Sequence, residues 1–463
     1  MKFFLFIFII IYFSIPFSFC QEKGYNIEVS IKNLKNSPIY LGYHYGTRKY
    51  VVDTVVLNEN GNGHFVGNQK LLEGVYLVIT SSKNFFEILM PENQNFSVIT
   101  DTINLVENLI INNSIENSKF IDYQKNIRKQ QINIYNINSQ KENTNDSIVI
   151  NDLNKKIEKI QEDIFEYWKK TAKSNKGTLL GLILKSLLEP EIPKYIKKIG
   201  NNELEKFYFK EHFFDNIDFS DSRILRSPIF HNKLEQFTKN IVFQRQDSIQ
   251  FEYEKLLSKP NIDKDIFKYT LVYLINFAET SYNFNTDELF VTTADKYFLG
   301  RPELWGDNNF LLNLKKRTDK LRPTLIGEKA PEILMQSYAG NNISMLEINA
   351  DFTILYFWDP DCDHCREETP RLKELFNKYD SDKVKILAVY IGENYPLWTE
   401  FIKNNDLINL MNVYDPFNTS NYKNYYDLTV TPSLYLLDKD KKILIKKISI
   451  EYLMLILDKL TNQ

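Results

Sequence analysis

A nearly continuous apolar run, "FTILYFW" (Phe352 to Trp358), leads into "DPDCDHC", and the stretch "REETPRLKELFNKY" follows. The run reads as a buried strand. The stretch after it places Leu372, Leu375, Phe376 and Tyr379 at i, i+3, i+4 and i+7, the pattern of a helix with one buried face. Cys362 and Cys365 therefore sit at a strand-to-helix junction, and this constrains the fold more than any other feature of the 463 residues.

Two thiols at this spacing can bind a metal, form a staple or exchange electrons. Zinc needs about four ligands. The chain has no second cysteine pair, and His364 between the thiols does not complete a set. A disulfide across two residues closes little chain and gains little loop entropy. The redox reading has a positive argument. The first thiol lies at a helix N-terminus, where free N–H groups and the helix dipole favour negative charge. That lowers the thiol pKa, and the thiolate is the attacking species. Cys362 is then the nucleophile and Cys365, one turn further in, the resolving thiol.

The surrounding pattern supplies the rest of a domain. "KVKILAVYI" reads as a second buried strand and "YPLWTEFIKNN" as a helix. "PSLYLLD" and "ILIKKI" around the turn "KDKK" form a strand pair, and "YLMLILDKL" a last helix. Strands alternating with helices before a closing hairpin and helix predict an α/β sandwich with a mixed sheet.

"FWDPDCDHC" with the later "VTPSLYLLD" resembles the thioredoxin-fold family, and more narrowly its TlpA/ResA-like exported thiol–disulfide oxidoreductases, over residues 325 to 463. The resemblance implies that Pro432, after Thr431, is the family's cis-proline beside the cysteine pair. It implies that Trp358, Thr431 and Pro432 contact the substrate, and that no cofactor is needed beyond the Cys362–Cys365 disulfide. The 70 positions from Cys362 to Pro432 leave room around "GENYPLWTEFIKNNDL" for the extra strand and helix of the TlpA-like branch. Glu368 falls where these proteins keep a glutamate able to relay a proton to the enclosed thiol. Its other reading is a first-turn acid stabilising the helix dipole. Pro370 matches the proline that kinks the active-site helix. Thioredoxin's buried aspartate is replaced by Tyr356, which makes Glu368 the better candidate for proton transfer.

Upstream, residues 21 to 112 alternate in short β-branched and aromatic runs such as "YNIEVSI", "PIYLGYHY" and "GVYLVIT", separated by turns such as "NENGNG". They predict a small antiparallel β-sandwich-like domain without a catalytic constellation; His44 and His64 are isolated. Residues 113 to 320 turn helical and predict a central all-α domain, with Leu153, Ile157, Ile160 and Ile164 on one helix face. The polar tract "NSQKENTNDS" (Asn138 to Ser147) reads as a loop, and "LRPTLIGEKAPEI" (Leu321 to Ile333) as a linker. This order of domains resembles a Bacteroidetes architecture in which DUF4369-like and DUF5106-like domains precede a thioredoxin-like one. The stretch Phe214 to Leu234 carries the second of these resemblances.

The first twenty residues, Lys2 followed by "FFLFIFIIIYF" and small residues, describe a secretory signal peptide. Cys20 is a second possible processing site, for a lipid anchor, although Phe19 precedes it. The expected location is the periplasm or cell envelope. A net charge of −3 gives no basic footprint for nucleic acid. The expected partners are exported proteins with thiols or disulfides, and a membrane or periplasmic electron donor.

Protonated His364 favours the Cys362 thiolate, whereas Asp359, Asp361 and Asp363 oppose it, so the residues leave the direction of electron flow open. Resemblance to the TlpA/ResA branch tilts the expectation toward a reductant. Two other functions compete. A thiol peroxidase would carry Pro and Thr seven and three residues before the first cysteine, where this chain has Leu355 and Asp359. A cell-envelope binding protein would use the upstream domains for its partner, with the cysteine pair regulatory or structural.

Overall fold

The computed structural model describes residues 24–281, 285–379 and 382–461. The expected signal peptide and Cys20 lie outside the described residues. No described helix is long and apolar enough to cross a membrane.

The N-terminal strands are β1 (Tyr25–Lys32), β2 (Pro38–Tyr45), β3 (Arg48–Val56), β4 (Asn62–Gly67), β5 (Gly74–Thr80), β6 (Phe85–Met90), β7 (Asn95–Asp101) and β8 (Ile110–Asn112). They form two four-stranded sheets, ordered β4-β1-β7-β8 and β3-β2-β5-β6. Ile27, Val29, Phe65 and Val98 from the first sheet pack with Ile39, Leu41, Val78 and Ile88 from the second in one core. These are alternate residues of their strands, which is why the sequence shows period two. One sheet is antiparallel throughout. In the other, β1 pairs with β7 in parallel, because the chain leaves β1's sheet twice and returns first in β4, then in β7. The turn into β4 needs Gly61, whose φ is +79° and whose missing Cβ would stand 2.4 Å from the Ile31 carbonyl.

The helical stretch begins at Ile115, with Ser114 capping its first turn. The first half of the polar tract expected as a loop, Asn138 to Glu142, continues that helix; residues 143–146 break it, and the next helix starts at Ser147 with Asp146 as its cap. Gln, Lys and Glu are sound helix formers, so polarity alone did not end the helix.

By compactness the described residues fall into two units, those up to 241 with 261–266, and residues 242–260 with those from 267 onward. The stretch expected as one helical domain is thus shared between them.

The second unit holds β9 (Leu334–Ser337), β10 (Asn342–Ser344), β11 (Phe352–Trp358), β12 (Val384–Tyr390), β13 (Met411–Tyr414), β14 (Ser433–Leu437) and β15 (Ile443–Lys446) in one mixed sheet, ordered β10-β9-β13-β12-β11-β14-β15. β11, β12 and β13 are parallel neighbours, and β14 runs antiparallel to β11. Both faces of β11 are covered: Ile354, Tyr356 and Trp358 point into one core, and Leu355 and Phe357 into the other. That double burial explains its apolar run. The expected linker is docked. Gly327 N–H donates to the Ile443 carbonyl at 2.8 Å and Ile443 N–H to the Glu328 carbonyl at 2.9 Å.

Candidate active site

β11 sits next to the middle of its sheet and ends at Trp358. The chain then turns through Asp359–Asp361, with Asp361 N–H on the Asp359 carboxylate at 3.0 Å and Cys362 N–H on the Asp359 carbonyl at 3.0 Å. Gly392 permits this turn: a Cβ there would stand 2.3 Å from Asp359 Oδ2. Cys362 is the N-cap of the helix Asp363–Glu368. Thr369 N–H still bonds the Cys365 carbonyl at 2.9 Å, but Pro370 has no N–H to continue the ladder, and a separate helix, Arg371–Lys378, follows.

Both cysteines are free thiols, Cys362 half-buried and Cys365 fully buried. The Thr431–Pro432 peptide is cis. It places the Thr431 carbonyl 3.5 Å and the Thr431 hydroxyl 3.4 Å from Cys362 Sγ. Burial pushes the Cys362 thiol up, but hydrogen bonds from Thr431, Cys365 and the His364 backbone outweigh it and hold its pKa below the ordinary value. Burial pushes Cys365 up to about 12, and the neighbouring Cys362 adds to the rise. The two thiols are thus driven apart in acidity: the Cys362 thiolate is favoured, and Cys365 is held protonated.

His364 acts here through its backbone N–H, and its ring is exposed. Asp363 is ion-paired with Arg366, which offsets its charge near the thiols. Trp358, expected among the substrate contacts, is fully buried between Tyr390 and Phe401. As the last residue of a strand covered on both faces it fills the core. Glu368 gives one carboxylate oxygen to Arg371 at 3.0 Å, while its other oxygen is shielded and has no hydrogen-bond partner. Tyr356 is buried, its hydroxyl 3.2 Å from the Thr369 hydroxyl, and burial raises its pKa. Sequence reasoning missed Thr369 and Gly392, which carry no motif signal. No cluster of three or more metal-ligating side chains occurs among the described residues.

Residues 349–443 match the family model described as thioredoxin-like. Residues 168–303 match DUF5106 and residues 25–120 match DUF4369, both described as domains of unknown function. The thiol–disulfide oxidoreductase ResA of Bacillus cereus is 28% identical over 121 residues, covering 26% of this chain and 68% of that protein. A thioredoxin-like protein from Bacteroides caccae is 24% identical, with 58% of this chain and 98% of that chain covered at a TM-score of 0.46. A domain of a possible thiol-disulfide isomerase from Cytophaga hutchinsonii is 34% identical, with 30% and 97% covered at a TM-score of 0.28.

A cysteine pair split in acidity beside a cis-proline, on this sheet, defines a thioredoxin-like thiol–disulfide oxidoreductase. The chain is a TlpA/ResA-like multidomain protein in which DUF4369 and DUF5106 domains precede the redox domain.

Proposed function

We propose that this protein exchanges disulfides with exported partners through Cys362 and Cys365, passing electrons to them as a reductant. The observation that carries the exchange reaction is the opposed acidity of the two thiols, one half-exposed beside Thr431–Pro432 and one enclosed.

The Cys362 thiolate attacks one sulfur of a partner disulfide. A Cys362–partner disulfide forms, and the other partner sulfur leaves as a thiolate that takes a proton. Cys365 then loses its proton, which Glu368 accepts, and attacks Cys362 Sγ. The Cys362–Cys365 disulfide forms, the second partner sulfur leaves and is protonated, and two electrons have passed to the partner. A membrane or periplasmic donor must then reduce the pair. Export rests on the signal-like residues 1–20, and the reductive direction on the resemblance to ResA-type proteins. The lowered Cys362 pKa acts against that direction, since stabilising the thiolate makes a disulfide more oxidising.

A Cys365→Ser variant tests the exchange. It is expected to accumulate a Cys362-linked partner in the native envelope, identifiable by mass spectrometry and absent from Cys362→Ser. No cysteine-dependent adduct would sink the mechanism. A redox titration tests the direction: a potential near the roughly −270 mV of thioredoxin fits a reductant, and one near the roughly −120 mV of DsbA overturns it.

A further inference from the structure

Four residues before Thr431 stands Asp427, whose carboxylate is fully buried. The Arg317 guanidinium reaches it at 3.0 Å, the Lys447 ammonium at 2.9 Å and the Thr429 hydroxyl at 3.1 Å. The cluster continues on both sides. Arg317 also pairs with Glu279 at 3.0 Å, and Lys447 with Asp287 at 3.1 Å. Asp287 in turn holds the fully buried Lys446 at 2.6 Å. Acids and bases alternate, Glu279, Arg317, Asp427, Lys447, Asp287 and Lys446, so the charges balance. Burial alone would push the Asp427 carboxyl up, but Arg317 and Lys447 hold it well below the usual range.

The backbone is bent to build this cluster. Consecutive strand residues face opposite ways, yet Lys446 and Lys447 meet the same carboxylate. Lys447 has φ +56°, in the left-handed region, and turns its side chain to the side where Lys446 already points. Lys447 then holds the cis-proline segment from both flanks. Its ammonium grips Asp427 upstream of Pro432, and its backbone N–H bonds the Leu434 carbonyl downstream at 2.8 Å. Between these two anchors lies Thr431, in contact with Cys362 Sγ.

We propose that Asp427 is a positioning residue of the redox site: with Arg317 and Lys447 it clamps the cis-proline segment so that Thr431 stays within hydrogen-bonding range of Cys362 Sγ. Glu279, Asp287 and Arg317 lie outside the thioredoxin-like match at 349–443. Helical residues ahead of the redox domain therefore belong to the scaffold of its active site. The inference rests on the reading of Cys362 as the attacking thiol.

The test uses the full-length reduced protein and reads alkylation of Cys362 by iodoacetamide, quantified on its peptide by mass spectrometry, against pH, alongside thermal melting. The titratable neighbours of Cys362 (Cys365 and Tyr356, with Asp359 and His364 in the adjoining turn and helix) are left in place. Asp427→Asn and the milder Thr429→Val, which removes only one bond to the clamp, are compared with Leu457→Ala, a cavity in the same domain's core. Both clamp variants are expected to shift the alkylation midpoint upward and slow the reaction about fivefold or more below that midpoint, because less thiolate is present. Leu457→Ala is expected to melt earlier with an unchanged midpoint. An unchanged midpoint in Asp427→Asn, with melting lowered as in Leu457→Ala, would overturn the proposal. Should Asp427→Asn not fold, an unchanged midpoint in Thr429→Val overturns it instead. The alkylation readout needs no partner, so it is separable from failure of the exchange reading, which Cys362→Ser retaining disulfide reductase activity would show.

Discussion

Glu368→Gln isolates the proton transfer that resolution requires. With its pKa near 12, Cys365 at about pH 7 is a thiolate in roughly one molecule in 10⁵. Once Cys362 is in a mixed disulfide it no longer holds a competing negative charge, so Cys365 becomes easier to ionise. Burial, the largest cause of its shift, remains. A positioned base avoids waiting for the rare free thiolate. Such a base contributes about 10² to 10⁴ in rate. The shielded, unbonded Glu368 oxygen fits the role, and Tyr356 lies close enough to interact electrostatically with both Glu368 and Cys365. Glu368→Gln is therefore expected to slow resolution about a hundredfold and leave the first attack unchanged. An aromatic disulfide reagent such as dithionitrobenzoate separates the steps, because attack by Cys362 releases one coloured thiolate and resolution by Cys365 a second. In the variant the second phase should climb about tenfold per pH unit, as free thiolate becomes the only route, and in the native protein less steeply. Arg371→Gln, which frees the other Glu368 oxygen but keeps the carboxylate, serves as the control. A second phase in Glu368→Gln within threefold of the native rate at every pH would refute the relay and leave Glu368 as a partner of Arg371.

Two further substitutions probe the packing. Asn117 is fully buried and bonds both the N–H and the carbonyl of Leu89, at 2.8 and 2.9 Å. Asn117→Ala strands both groups, each worth about 1–3 kcal/mol, so a loss of about 2–6 kcal/mol is expected in urea unfolding of the N-terminal unit; an unmoved midpoint would mean the helix start shifts to cover β6. Gly392→Ala must displace Asp359, whose carboxylate a Cβ would meet at 2.3 Å, and break its bond to Asp361 N–H. A charge-assisted bond is worth about 1.5–3 kcal/mol, so earlier melting is expected together with a slower first phase in the two-step assay. Native values of both would show that the turn yields without cost.

What the sequence made legible was local. Alternating burial in β1 and double burial in β11 each write themselves into consecutive residues. The cysteine pair and the helical stretch through Pro370 were likewise readable from one short region, though as one kinked helix where the structure has two. Strand order was not. Nothing in "YNIEVSI" or "FSVIT" says that β1 and β7 run parallel, because that depends on where the chain goes between them. The burial of Trp358 was hidden for a related reason: its neighbours in sequence are active-site residues, while its neighbours in space, Tyr390 and Phe401, belong to the core. The acidity of Cys362 also turns on groups distant in sequence. Asp359, Asp361 and Asp363 look adverse as a string, yet Asp363 is paired with Arg366, and the donors that lower the pKa include Thr431, 69 positions along the chain.

The buried ionic cluster was illegible for a deeper reason. A quarter of the chain is charged, and a charged residue on a helix or strand end is by default solvated. Only packing marks Asp427 and Lys446 as buried, and only the left-handed turn at Lys447 brings adjacent lysines to one carboxylate. A buried charge without its partner is strongly unfavourable, so these six side chains depend on one another across residues 279 to 447. The compact unit that contains the cysteines also contains these upstream helices, and it is larger than the stretch recognisable as thioredoxin-like. A substitution at Arg317 or Asp287 can therefore change the thiol chemistry without touching the motif, as the clamp on Thr431 requires.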